Sequence, residues 1–343
     1  MGANGMKTAL MITTAMVAAL AAAPAMANEK FTFALNWFPV GDHAAYWVAK
    51  EKGYFAEKGL DVVIENSKGS GDSIAKVDTG RADAGLADAA VVIGSRARGT
   101  TVKVVGIIFD RTPMNFFSKA SAPITKPSDL PGKTVGAPPG DSQRLVWPAF
   151  ANANGIDPNS IKWVNIEPSA KYVALAEGRA DAVSDYTTGL PLAEKAVGKG
   201  NAVTLNWADY NFQLYAMSIM TSEATIKDRP EALRGFLEAS YKGWQDVMND
   251  PEGAMEIYKK AVPEIDVVAL RENMDLGFEL MKTQTFKEKG IGAIDKDKMC
   301  GSVDLVNTYM GLPTKVDCAD AYDDTFLTKI ELPFDVQKPL KTG

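Results

Sequence analysis

One five-residue string occurs twice in the chain, and it does more than any other feature to limit the architecture. Gly80-Arg81-Ala82-Asp83-Ala84 returns as Gly178-Arg179-Ala180-Asp181-Ala182. Each copy follows a stretch of helical character and precedes a short apolar run. Glycine suits a helix end because it reaches left-handed backbone angles without strain; aspartate suits the turn, and the alanines can pass into a sheet. The run after each copy ends at an acidic residue, Asp88 in one and Asp185 in the other. A favourable turn met twice by chance would look the same, so the surrounding pattern has to agree.

It does agree. Around the first copy, strand patterns over 30–35, 60–65, 82–86 and 102–109 alternate with helical patterns over 42–52, 73–79 and 89–98. Around the second, strands over 133–137, 161–166 and 182–184 alternate with helices over 142–154 and 170–177. Such alternation predicts βαβ units and mostly parallel sheets flanked by helices, an α/β fold in two lobes. The chain beyond residue 230 reads as mainly helical. At 343 residues it is also longer than a single core comfortably encloses, the limit being ~250–300. Ligands of open α/β sheets bind beyond the carboxyl ends of the strands. Two facing lobes would therefore bring Asp88 and Asp185 to a shared cleft.

Several function classes fall away. A net charge of −6 without any block of lysine and arginine argues against nucleic acid as partner. One histidine and two cysteines leave almost no ligands for a metal. Pro131-Gly132-Lys133-Thr134 carries G-K-T, but the glycine of a phosphate loop is replaced by Pro127 and the segment leads into a strand. No G-x-G-x-x-G, H-E-x-x-H or G-x-S-x-G occurs, so neither a cofactor nor a catalytic set is expected.

Residues 1–27 read as a secretory signal peptide: Lys7, an apolar run over 9–23, Pro24, and the small-residue cut Ala25-Met26-Ala27. The run is shorter than the roughly 20 apolar residues of a membrane span. No cysteine follows the cut, so the expected product is a soluble periplasmic chain starting at Asn28, without a lipid anchor. Export to an oxidising compartment predicts a disulfide between Cys300 and Cys318; two separate buried thiols are the alternative.

The residues after the first strand carry a resemblance. Asn36-Trp37-Phe38-Pro39, Asp42-His43, Lys50-Glu51-Lys52-Gly53-Tyr54-Phe55 and Gly59-Leu60-Asp61-Val62 resemble the opening of periplasmic binding proteins of ABC importers. The group is that of thiamine-pyrimidine-precursor carriers and the related thiamine pyrimidine synthase; sulfonate- and nitrate-binding proteins are more distantly similar. The resemblance implies a type II-like Venus flytrap with crossing strands near 114–119 and 215–221. It implies one lobe of 29–116 plus 219–343 and a second of 117–218. It further implies a small-molecule ligand, a membrane permease as partner, and a monomer. In the synthase a histidine matching His43 is consumed; the cysteines that accompany it there have no counterpart in Ala216-Met217-Ser218. The expected function is thus capture of a planar nitrogen heterocycle, with a thiamine-precursor pyrimidine as best guess. An aromatic carboxylate or sulfonate is the alternative, and an exported pyrimidine-modifying enzyme a minor one.

Candidate ligand contacts follow, each beside a plainer role. Trp37, next to Asn36, could stack on a flat ring. His43 either meets ligand or packs locally with Trp47. Asp42, Asp88 and Asp185 would accept hydrogen bonds from ligand N–H groups, or simply cap the elements they precede. Tyr186 is a cleft wall or an interior aromatic. Asp141, Ser142 and Arg144 open a helix whose N-terminus, with the guanidinium, could hold an anion as in the sulfonate and nitrate relatives, or form an ordinary capped start. Arg111 is a second candidate cation, or pairs with Asp110.

Overall fold

The computed structural model describes residues 28–334; the signal segment expected at 1–27 lies outside the described residues. Among the described residues ten strands form two five-stranded sheets, in the orders β2-β1-β3-β10-β4 and β7-β6-β8-β5-β9. The first holds β1 (Glu29–Ala34), β2 (Leu60–Glu65), β3 (Ala84–Asp88), β4 (Val102–Ile107) and β10 (Met217–Ser222). The second holds β5 (Met114–Lys119), β6 (Thr134–Ala137), β7 (Lys162–Asn165), β8 (Ala182–Tyr186) and β9 (Ala202–Asn206). In each sheet one strand runs against the other four: β10 is antiparallel to β3 and β4, and β5 to β8 and β9. The chain enters the second sheet at β5 and re-enters the first at β10. Helices flank both sheets, and the fold is the two-lobed periplasmic-binding-protein architecture.

The repeated string has the same use in both lobes. Gly80 and Gly178 end helices at φ +71° and +73°. Asp83 then accepts from the Thr32 N–H of β1 at 2.6 Å, and Asp181 from the Thr134 N–H of β6 at 2.8 Å. Each aspartate thus fastens the incoming turn to the strand beside it.

Aromatic packing fills both lobes. Phe236, on the helix Pro230–Asn249, lies 4.7 Å from Phe31 and from Phe33, and 5.4 Å from Phe55. In the other lobe Trp207 stacks on Phe150 at 4.2 Å and meets Phe116 edge-on. Cys300 and Cys318 form the expected disulfide, tying the helix Lys296–Tyr309 to the short helix Cys318–Ala321. Among the described residues, no helix is long and apolar enough to cross a membrane.

Several elements differ from expectation. The strand expected at 82–86 begins two residues later, because Ala82 and Asp83 are spent on the turn. β9 was not anticipated; it is a short edge strand, Ala202–Asn206, without clean alternation. The helix expected from 42 starts as a 3-10 turn, Gly41–His43, and becomes α-helical only over Ala44–Glu51.

Candidate ligand-binding site

A narrow cavity lies where the carboxyl ends of the two sheets face each other. The first lobe contributes the loop after β1, with Asn36, Trp37, Phe38 and Val40, and then Asp42 and His43. The second contributes the starts of two helices, Asp141 to Gln143 and Lys171-Tyr172, and the end of β8 with Asp185, Tyr186 and Thr188. Asn273, from the helix Val267–Met281, completes one wall.

The polar groups are tightly engaged. His43 Nε2 lies 2.9 Å from Asn36 Oδ1. Burial pushes the imidazole down to about 3, so it is neutral at ordinary pH. A hydrogen bond between the ring and the Phe38 backbone opposes that fall. Asp42 does not cap its helix as expected. Its side chain turns across the cleft, where Oδ2 accepts from Thr188 Oγ1 at 2.9 Å, while Oδ1 has no partner among the described residues. Burial, offset in part by the Thr188 bond, raises this carboxyl to about 7; the nearby Asp185 charge adds to the rise. Asn273 braces the same spot, accepting from the Asp42 N–H at 3.2 Å and donating to the Thr188 carbonyl at 2.7 Å.

A second crossing runs through Tyr186, whose hydroxyl donates to Asp88 Oδ2 at 2.7 Å. Asp88 is fully buried, and burial raises it to about 6 against the opposing bonds from Ser142 and Tyr186. Close by, Ser70 Oγ and Ser142 Oγ are 2.7 Å apart, and the Gly71 N–H donates to the Gly140 carbonyl at 3.0 Å. At Gly69, with φ +124°, a Cβ would stand 2.1 Å from the Gly140 carbonyl oxygen, so this approach of the lobes requires glycine. The lobes are in contact, and the cleft is closed.

At the centre is Lys171, 1% exposed. Its ammonium donates to the Ser184 carbonyl, and lies 3.1 Å from Asp185 Oδ2 and 3.7 Å from Asp141 Oδ2. It also sits 4.4 Å from the centroid of the Trp37 ring, a cation–π contact between lobes. Tyr172 donates to the same Asp185 oxygen at 2.6 Å.

The structure therefore gathers Asn36, Trp37, Asp42, His43, Asp141, Ser142, Asp185 and Tyr186 around one cavity. Three of the residues singled out lie elsewhere. Asp88 stands one layer behind, against Tyr186. Arg144 turns away, donating to the Ala137 carbonyl at 3.2 Å and to Asn165 Oδ1 at 2.6 Å, with its guanidinium over Trp163. Arg111 reaches the carbonyls of Glu279 and Lys282. Nor does Arg111 pair with Asp110, which is taken by Lys298 at 2.8 Å. Trp47 packs on Tyr258 instead of His43. Lys171, Tyr172, Thr188 and Asn273 were not singled out from the sequence. Two facing α/β lobes closed over a polar, aromatic cavity define the class: a protein of periplasmic-binding-protein architecture with room for a small molecule between its lobes.

Comparison with known proteins narrows this. The family model described as NMT1/THI5 like matches residues 40–254, and the chain belongs to that family. It is 26% identical to the riboflavin-binding protein RibY of Chloroflexus aurantiacus, over 87% of this chain and 86% of that one. It is 29% identical to the formylaminopyrimidine-binding protein of Halalkalibacterium halodurans, over 67% and 70%. It is 26% identical to the 4-amino-5-hydroxymethyl-2-methylpyrimidine phosphate synthase THI13 of Saccharomyces cerevisiae, over 70% and 74%. In fold it is similar to the alkanesulfonate-binding protein SsuA of Xanthomonas axonopodis pv. citri, with a TM-score of 0.65 at 14% identity, covering 86% of this chain and 98% of the other.

Proposed function

We propose that this protein captures a small planar nitrogen heterocycle outside the cytoplasm, with a thiamine-precursor pyrimidine as the reference ligand. It then hands the molecule unchanged to an ABC permease. The observation that carries the reading is the make-up of the cavity. An indole from one lobe and two phenols from the other supply flat apolar surface. Asp42 Oδ1, buried without a partner among the described residues, supplies an acceptor for a ligand N–H group. Relatives named for riboflavin and for a formylaminopyrimidine support it, since both names denote flat nitrogen heterocycles. Turnover is disfavoured because His43 is buried and held by Asn36, and Ala216-Met217-Ser218 carries no thiol. Contacts to both lobes at once would shift the population toward the closed form, which the permease would recognise; the carrier itself works as a monomer.

Thermal denaturation with a ligand panel tests this. A bound pyrimidine at 100 times its dissociation constant should add about 2.7 kcal/mol of stability. Trp37→Ala should weaken that ligand roughly tenfold, through lost stacking of about 0.5–1.5 kcal/mol and lost apolar burial. A panel in which pyrimidines and flavins leave the protein unchanged while unrelated solutes stabilise it would reject the proposal.

A further inference from the structure

We infer that the cleft selects by charge, and that Lys171 with Asp185 and Asp141 makes the selection: uncharged heterocycles are admitted, and their phosphate, carboxylate or sulfonate derivatives are refused. The inference rests on the proposed function for the ligand's ring, but not for its charge.

Three observations converge. First, among the described residues lining the cavity, Lys171 is the one lysine or arginine. Its ammonium already faces two carboxylates at 3.1 and 3.7 Å and donates to the Ser184 carbonyl. An incoming anion would meet a positive charge already offset. Drawing the ammonium toward itself would take the counter-charge from the buried Asp141 and from the half-buried Asp185, which is costly. Second, the helix Ser142–Ala153 points its N-terminus at the cavity, where free N–H groups and the helix dipole would ordinarily welcome an anion. Its own cap stands in that place: Asp141 Oδ1 accepts from the Arg144 N–H at 3.1 Å, and Oδ2 faces Lys171. Third, the two nearby guanidinium groups are spent elsewhere, Arg144 on Ala137 and Asn165, Arg111 on Glu279 and Lys282. Among the described residues lining the cavity, the unpartnered side-chain donor is the neutral amide of Gln143, so a negative charge meets no unoccupied cation.

Removing one carboxylate should convert the refusal into acceptance. Calorimetric titration would compare 4-amino-5-hydroxymethyl-2-methylpyrimidine, its phosphate ester and benzenesulfonate. The parent protein should prefer the free pyrimidine to its ester by about 100-fold, a free-energy difference of about 2.7 kcal/mol. Asp185→Asn should narrow that preference at least about tenfold and gain measurable benzenesulfonate binding. Adding Lys171→Met to that variant should abolish the gain, which mere loosening of the lobe would not do. Should D185N fold poorly, D141N, whose amide keeps the helix cap, serves in its place. Equal binding of pyrimidine and ester by the parent would overturn the inference. So would benzenesulfonate binding by the parent, or unchanged selectivity in a folded D185N. If no pyrimidine binds yet benzenesulfonate binding appears only in D185N, charge selection stands and the heterocycle reading falls. Absence of binding in every variant would sink both.

Discussion

Asp42 shows how much a single side chain can depend on the opposite lobe. Its neighbours in sequence suit a helix cap, but Thr188 arrives from the second lobe and takes the carboxylate instead. Burial raises its pKa from 3.8 to about 7, so the folded protein holds that proton more tightly than the unfolded chain does. The stabilisation is complete below the unfolded value and is lost as pH rises through about 7. Asparagine does not titrate. The melting temperature of Asp42→Asn relative to the parent should therefore improve between about pH 5 and about pH 8; parallel curves would show that the carboxyl is not held up by burial. Asp88 and His43 titrate in both proteins and cancel from the difference. Much of the cavity was readable at this scale, since Asn36, Trp37, Asp42 and His43 form one local run at the end of β1. Lys171 was not, because a lysine opening a short helix is ordinarily exposed. What buries it is the convergence of Asp141 and Asp185 from two other segments, and no local spacing records that. The arginines misled for the same reason: carbonyls and Asn165, brought close only by the fold, claim them first.

Among elements, the repeated glycine-to-alanine string was legible because its physics is local. A left-handed glycine closes a helix, and the aspartate is then placed to seize the N–H of a strand threonine. The edge strand β9 was less legible because its pairing with β5 is set by a distant segment and only Leu205 of its five residues is buried. The helix Pro230–Asn249 is the element with most at stake in the first lobe. Phe236 is fully buried and touches three phenylalanines drawn from β1 and from the short helix Tyr54–Glu57 before β2. Phe236→Ala should lower stability by about 3–5 kcal/mol through lost transfer energy and the cavity left behind. Urea unfolding followed by circular dichroism would check this, and a loss under about 1 kcal/mol would mean that the site collapses without cost.

For the whole molecule, the bonds from Tyr186 to Asp88 and from Thr188 to Asp42 join the lobes only when the cleft is shut. Tyr186→Phe removes one of them and leaves the Asp88 carboxyl buried with a lost donor. The variant free of ligand should spend more time open, seen as a larger radius of gyration in small-angle scattering, and ligand should bring it back toward the parent value. Identical profiles for parent and variant would mean that this bond does not hold the lobes together.

The placement of β10 has a consequence for how the protein is made. It fills the slot between β3 and β4, yet it is encoded about 110 residues after β4, beyond the entire second sheet. A nascent polypeptide that has emerged as far as residue 210 holds the three strands β2-β1-β3 separated by a gap from a lone β4, with an unsatisfied edge on each side of it. Such a half-built sheet is a ready template for aggregation. The N-terminal half therefore cannot settle early, and the last-arriving strand acts as a keystone that leaves the chain pliable until nearly all of it is available.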